Sequence, residues 1–588
     1  MSYGKIERVK REVGIMLKIP YGISNFEQIR TKNYLYIDKT HFIEQLESLN
    51  LLIHLRPRRF GKSLFISMLE AYYDVNMVDK FDGLFKGLYI HENPTENKNN
   101  YYILRLNFSG IQNNETESLE QGFIRNVKIG IENFIGHYNF DIKLLDNDSA
   151  AGHLKHAMSQ FKRLKLPHKI YVLIDEYDHF ANTLLTGDGY DFLELLQKGG
   201  FVRSFYEIIK EQSELGLIER LFMTGVMSVT LDSMTSGFNV GTNITTIEDF
   251  VDMVGFTHQE VKELLSQAYA RPAKKAEIVT LNKEEQERIL TTFKQHYNGY
   301  LFSEQSDEKV FNSTLIMYYM KHYLRKNIPP KNLVDDNLNQ TGTTIENIVS
   351  LKNKEDNYKI IEAIIEKKEV SGTLQPFIKI HEKFDENDFI TLLFNIGMLT
   401  IKEGNMETVF QMPNRIIANI YLEYLKNLHQ KESKYELSLS RQKNAILQLG
   451  NFGDLAPLTA LVSEFLLHTS PRNKIKFDEK YIKLIYLMLL SYTNQLDVYD
   501  EFPGLQGYCD LFIQKTPNSQ ATFETLVELK YIKKSETTAE NIERVFQEGV
   551  IQIKNYMMDA RLSNRENLRK YVVVFSGFDV AKSEEIID

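Results

Sequence analysis

Cysteine is almost absent: Cys509 is the single one in 588 residues. No disulfide framework within the chain and no cysteine-based zinc cluster can be built from it. The scarcity suits a reducing compartment. Long apolar runs are also missing. The most apolar stretch, "LIYLMLL" at 484–490, is far short of the roughly 20 residues that span a bilayer. The opening "MSYGKIERVKREVGIMLKIP" lacks the apolar centre of a signal peptide. Both absences lead us to expect a soluble, cytoplasmic protein with no membrane partner. There is no excess of positive charge: 70 Lys and Arg stand against 79 Asp and Glu, for a net charge of −9. Any nucleic-acid surface must then be local. Tryptophan is missing altogether, which excludes nothing functional. Repeats and low-complexity tracts are lacking too.

What is present is ordinary for a globular protein, with 43% hydrophobic and 25% charged residues. The length suggests about three to five domains. Ile6, Val9, Val13 and Leu17 recur near helical spacing and predict a short N-terminal helix over 1–19. From 20 to 255, short apolar runs alternate with helical segments. "LLIHL", "YYILRLNFS", "KIYVLIDEYD" and "RLFMTGVMSV" read as strands. Continuous apolar strands between helices predict a parallel α/β sheet covered on both faces. Residues 256–436 read as mostly helical. They end in a helix, a hairpin around "EGN" and a second helix, a winged-helix-like pattern. Turn-rich or charged breaks at "ARPAKKAE" and "NLHQKESKYE" mark boundaries. A new pattern fills 437–588: helices, strands at 507–514 and 521–532, a helix through 538–560, and a strand at 570–577.

The stretch "RPRRFGKS" places Gly61, Lys62 and Ser63 between an apolar strand and an apolar-periodic helix. A phosphate-binding loop needs that context. Backbone N–H groups and a helix N-terminus face the anion, a lysine reaches the terminal phosphates, and a hydroxyl holds Mg²⁺. Residues Arg58, Arg59, Phe60, Gly61, Lys62, Ser63 and Leu64 would form the cradle. Arg56 stands where the usual pattern opens with glycine. About 110 residues on, the apolar run "YVLI" ends in Asp175 and Glu176. Carboxylates there sit at the edge where open α/β sheets bind ligands. Asp175 can support Mg²⁺ through water, and Glu176 can polarise an attacking water. Taken singly, the loop could be a plain helix start and "DEYD" a solvated strand end; their combination favours a nucleotide site. "FMTGVMS" could bring Thr224 or Ser228 to a terminal phosphate, or be a core strand.

These residues carry a resemblance. "IPYGISNFEQIRTKNYLYIDKT…LRPRRFGKSLF" is similar to the opening of bacterial AAA-ATPase-like proteins fused to a PD-(D/E)XK nuclease-like domain. That family also has Arg-Pro-Arg-Arg before its Gly-Lys-Ser, so Arg56 fits it. The resemblance continues through "DEYD", "FMTGVMSV", "HYNGYLF", "FNIGMLTIK" and "MPNR"; "LDSMTSGFNVGTNIT" matches loosely. It implies a P-loop ATPase core over 20–255, with Arg58 and Arg59 as candidates for an arginine finger. A helical lid would follow over 256–436, and a restriction-endonuclease-like α/β domain over 437–588. It also implies ATP, Mg²⁺, and DNA as a partner, with further copies of the chain an open partnership.

In the last segment, Asp510 opens one apolar strand. Glu528 and Lys530 lie two apart on one face of the next. Clustered carboxylates that hold Mg²⁺ or Mn²⁺ beside a lysine can cleave a phosphodiester. Spacing alone equally fits an amphipathic strand with a Glu/Lys solvent face. The family pattern implies the nuclease reading, with Glu479 as a helical acid and metal ligand, Glu501 as a second acid, then Asp510, Glu528 and Lys530. Gln552 and Tyr556 would follow on the next helix. "GLQGYCD" lacks the Gly-Arg that many members carry before the Asp, a departure that bears on DNA handling. Cys509 is expected to point into a core. Two functions compete: a Mg²⁺-dependent ATPase coupled to a nuclease acting on DNA, and a nucleotide-switched scaffold whose nuclease-like domain binds without cleaving.

Overall fold

The computed structural model describes residues 18–587, apart from 112–117, 180–199, 229–240, 268, 271–278, 327, 331, 335–340, 351–352, 377, 379–383, 405–406, 434, 469–477, 492–494, 505–506 and 517–518. The helix expected over 1–19 falls almost wholly outside these. Lys18, the first described residue, makes a parallel bridge to Tyr34. The break at 270–277, most of "LDSMTSGFNVGTNIT" and the Glu501 side chain also lie outside. The chain divides into two compact units: residues 1–327 with 335–417, and 328–334 with 418–588.

The first unit is built on a five-stranded parallel sheet. Its strands are β1 (Leu51–Leu55), β2 (Tyr101–Asn107), β3 (Lys169–Asp175), β4 (Ile218–Gly225) and β5 (Thr242–Asn243). Their order is β2-β3-β4-β1-β5. The apolar runs predicted the first four. β3 is buried at every position after Lys169, as a parallel strand covered on both faces must be. Helix α1 (Lys62–Tyr73) follows β1 directly and packs on β2 and β3. Helix α2 (Leu119–Tyr138) starts in a capping box, where Ser118 accepts from the Gln121 N–H and Gln121 answers the Ser118 N–H. It lies on β2. Helix α3 (Ala150–Leu164) packs on α2, and α4 (Gly200–Glu214) packs on α3 and β4. Strands β1, β3 and β4 therefore end on one edge, with the loops after them side by side.

The rest of this unit carries helices α5 (Lys283–His296) and α6 (Ser313–Lys326), then β6 (Glu369–Ser371), α7 (Glu386–Asn395), β7 (Thr400–Ile401) and β8 (Val409–Gln411). Helix, hairpin and the start of the next helix, α8 (Arg415–Ser433), follow the order read from sequence. The hairpin gains a third strand, in the order β6-β8-β7. Three residues of β6 are too short a pattern to be read in advance.

The second unit has helix α9 (Glu479–Leu490) and a five-stranded sheet. Its strands are β9 (Leu496–Gly504), β10 (Gly507–Lys515), β11 (Glu524–Ile532), β12 (Leu568–Ser576) and β13 (Asp579–Glu585), in sequential order. All pairs are antiparallel except β11 with β12. A parallel pair needs a crossover, and α10 (Ala539–Tyr556) supplies it. Phe512, Leu526, Phe546, Ile553 and Val572 form the core beneath this helix. Cys509 joins them at 1% exposure, as expected. Strands β9 and β13 were not read from sequence. β9 carries Asp500, Glu501 and Pro503, and β13 alternates poorly, so neither shows a clean period of two. Among the described residues, no helix is long and apolar enough to cross a membrane.

Candidate functional site

The loop between β1 and α1 is fixed by two left-handed residues. Arg59 has φ 73° and Gly61 φ 98°. The second suits only glycine without strain. Three further segments of the same unit hold the loop. The Phe60 carbonyl accepts from Gly255 N–H at 2.9 Å, and the Arg59 carbonyl from Thr314 N–H at 3.2 Å. Pro57 packs so closely on Gly397 that a Cβ there would lie 2.9 Å from its ring. The Phe60 side chain is buried edge-on against Tyr300 and Phe302. Its role is therefore packing, with only its backbone at the loop. "HYNGYLF" and "FNIGMLTIK" thus supply the bed on which the loop lies.

Arg56 does not face the loop's interior. It is 1% exposed and donates to the carbonyls of Leu55, Thr245, Phe250 and Val251, with its guanidinium 4.1 Å from the Phe302 ring centre. Burial pulls its pKa down to about 9. The residue that replaces the usual glycine is a clamp between β1 and the 245–251 segment. Arg56→Gly should cost about 3 kcal/mol or more of stability, because hydrogen bonds from a charged donor are lost and carbonyls are left buried. Chemical denaturation checks this; a midpoint equal to wild type would show that the clamp carries no stability.

Lys62 is 8% exposed. Its ammonium donates to the Arg56 and Pro57 carbonyls at 2.8 and 2.9 Å. Burial lowers its pKa to about 8, against the pull of Asp178, Asp175 and Glu176. Ser63 follows it on α1. Asp175, at the end of β3, is 2% exposed and accepts from Thr224 Oγ at 3.0 Å. Ser228 instead accepts from Asn395 Nδ2, also at 3.0 Å. Glu176 has φ 54° and pairs through Oε2 with His179 Nδ1 at 3.1 Å. The hydrogen bond from His179 is the main cause holding the Glu176 carboxyl below its usual range. Asp178, buried, accepts from the N–H groups of Val226 and Met227. Desolvation raises its pKa. Gly225 makes room for it: a Cβ there would lie 2.4 Å from Asp178 Oδ1.

A cavity of about 450 Å³ opens over this edge. Arg58 through Leu64 line it, together with Glu176, Asp178, His179, Tyr21, Tyr36 and Met317. Sequence reasoning missed Asp178 and His179 as site residues, although both belong to or adjoin the quoted "DEYD". Hydroxyl and carboxylate oxygens, from Ser63 and Asp175, suit a hard cation such as Mg²⁺.

The second site lies in the other unit, on β10, β11 and α9. Asp510 Oδ2 accepts from Leu529 N–H at 2.9 Å. Lys530 Nζ donates to Glu528 Oε1 at 2.6 Å. Glu528 is 2% exposed. Its Oε2 is buried without a hydrogen-bond partner, and the nearby Tyr556 hydroxyl donates to the Tyr508 carbonyl at 2.7 Å. Burial, then Asp510, raises the Glu528 pKa to about 7, against the pull of Lys530. Burial also works to lower the Lys530 pKa, but Glu528, Glu479 and Asp510 more than offset it. Glu479 opens α9, and burial raises its pKa too. One turn on, Lys483 reaches 4.0 Å from Asp510 Oδ1. Its spacing of four from Glu479 was a signal that the sequence reading passed over.

Among the described residues, no group of three or more His, Cys, Asp or Glu side chains is arranged to hold a metal ion. Glu479 does not close a triad with Asp510 and Glu528. Two carboxylates with one orphaned buried oxygen still fit Mg²⁺, which binds through one or two carboxylates and keeps waters or substrate oxygens for the rest.

Residues 20–235 match the family described as Predicted AAA-ATPase, and residues 477–585 match the PD-(D/E)XK nuclease superfamily. The chain joins an AAA-ATPase-like domain to a PD-(D/E)XK nuclease-superfamily domain. A curated relative, an uncharacterized protein in the vnfD 5′ region of Azotobacter chroococcum, is 26% identical over 313 residues. These cover 52% of this chain and 53% of the relative, so the chain spans about half the length of the curated relative it matches. Among solved structures, a Walker-type ATPase of Pyrococcus abyssi matches over 69% of this chain and 99% of its own length, at 12% identity and a TM-score of 0.33.

Proposed function

We propose that the AAA-ATPase-like domain hydrolyses ATP with Mg²⁺, and that the nuclease-superfamily domain is a metal-dependent nuclease acting on DNA. The observation that supports this best is the convergence of Lys62, Asp175 and Glu176 on one sheet edge, with Lys62 and Glu176 lining the 450 Å³ cavity. Lys62 would leave the Arg56 and Pro57 carbonyls for the β- and γ-phosphates. An anionic phosphate outbids neutral carbonyls for a buried ammonium. Ser63 and Asp175 would hold the Mg²⁺, which neutralises developing charge on the phosphates. Glu176 would orient the attacking water. In the second unit Asp510 and Glu528 would hold the divalent cation that activates water for phosphodiester cleavage. Lys530 would orient that water, and Lys483 would meet the scissile phosphate. Nucleotide turnover would gate the nuclease or load DNA.

A second reading is a nucleotide-switched scaffold whose nuclease-like domain binds a partner without cutting. The ion pair of Lys530 with Glu528 Oε1, which occupies an oxygen that a metal would need, favours it. The coupling is tested by ATP hydrolysis with and without DNA. We expect turnover that needs Mg²⁺ and rises severalfold with DNA. Turnover indifferent to DNA would detach the two halves and favour the switch.

A further inference from the structure

Glu176 sits in an unusual backbone conformation for a non-glycine residue, with φ 54°. Such a residue is strained and persists only where its surroundings hold it. The surroundings are visible. Tyr177 N–H donates to the Thr224 carbonyl on β4 at 3.0 Å, and His179 N–H donates back to the Glu176 carbonyl at 3.0 Å. The turn thus brings the His179 ring onto the Glu176 carboxylate, Nδ1 to Oε2, at 3.1 Å. The other ring nitrogen, Nε2, lies 3.2 Å from the backbone nitrogen of Gly110, just past the end of β2.

These two contacts fix the imidazole. A backbone N–H only donates, so Nε2 must accept and carries no proton. The proton then sits on Nδ1, which donates to Glu176. The ring is held from both sides, aimed by the backbone just past one strand end at the carboxylate of another. The contact is directional at both ends, and His179 and Glu176 both line the cavity.

We propose that His179 is the positioning residue of the phosphate site: its Nδ1–H holds the Glu176 carboxylate, and Gly110 N–H holds His179. The loop after β2 therefore sets where Glu176 points. This rests on the reading of Glu176 as the group that orients the attacking water.

The test is steady-state ATP hydrolysis by the full chain with Mg²⁺. His179→Gln offers an acceptor near the Nε2 position but no donor to Glu176. His179→Asn offers a donor near Nδ1 but nothing to Gly110. We expect His179→Ala and His179→Gln to lose about 10- to 100-fold in kcat with KM little changed, on the scale of losing the partner that orients a metal ligand. His179→Asn should recover much of that loss. In a Glu176→Gln background, His179→Ala should add nothing further, because groups that act as a unit are not additive. Wild-type kcat in His179→Ala, or equal losses in Asn and Gln variants accompanied by a lower melting temperature, would overturn the positioning role. Wild-type turnover in Glu176→Gln would instead overturn the reading of Glu176, and this inference with it.

Discussion

Lys62→Ala is expected to cut ATP turnover by at least roughly 30-fold while leaving the fold in place. The ammonium is buried and surrounded by carboxylates, yet without nucleotide its partners are the neutral carbonyls of Arg56 and Pro57. A desolvated cation with neutral partners attracts an anion strongly. Removing one member of a buried charge pair costs about 2–5 kcal/mol, or roughly 30- to 5,000-fold in rate. Lys62→Arg should not rescue, because a planar guanidinium cannot replace a compact ammonium at 8% exposure. Stability should move the other way. The folded pKa, about 8, lies below the ordinary lysine value of 10.5. The charged form therefore burdens the fold at pH 7, and the burden lifts as pH rises from about 8 to about 10.5. Lys62→Met should accordingly be more resistant to urea than wild type at pH 7 and lose that advantage above that window. Turnover in Lys62→Ala equal to wild type would remove the loop from the mechanism.

Asp510→Ala and Lys530→Ala are expected to lose Mg²⁺- or Mn²⁺-dependent cleavage of DNA by at least about 100-fold, the scale of a lost positioned catalytic group. The two variants should part in a second measurement. Asp510→Ala removes a carboxylate that Leu529 N–H aligns, so titration of Mn²⁺ should show weakened binding. Lys530→Ala frees Glu528 Oε1, and Mn²⁺ should bind at least as tightly as in wild type. Cleavage by both variants at the wild-type rate would refute the catalytic assignment. DNA binding without cleavage by wild type would support the scaffold reading instead.

The sequence was most legible where chemistry and periodicity coincide. "LLIHL" running into Gly61, Lys62 and Ser63 is such a place, as is "YVLI" running into Asp175 and Glu176. Local spacing carried the strand–loop–helix, and parallel burial left no alternation to confuse it. The pairing of β10 with β11 was equally plain, since Asp510 and Glu528 bracket one hairpin. What could not be read is whatever depends on distant segments meeting. Arg56 looked like an altered loop entrance; its four carbonyl partners lie as far away as Val251. Phe60 looked like a cradle residue, and its ring packs on Tyr300 and Phe302. His179 carried no periodic signal, because its meaning lies in Gly110 N–H, 69 residues earlier. Lys483 differs: its spacing from Glu479 was there to be read, and only Asp510 gave it a purpose.

By itself, then, the order of residues determined the two sheets' principal strands, the strand–loop–helix around Gly61, Lys62 and Ser63, the acid pair at 175–176 and the acid–lysine pair at 528 and 530. Each depends on neighbours within a turn or a strand. The tertiary structure alone decided which charges are paired and which are stranded. Lys62 rests on carbonyls, Glu176 is tied to a histidine, and Glu528 keeps one oxygen unmet. The reason is physical: the cost of a buried charge is set by what surrounds it in space, and only folding supplies those surroundings.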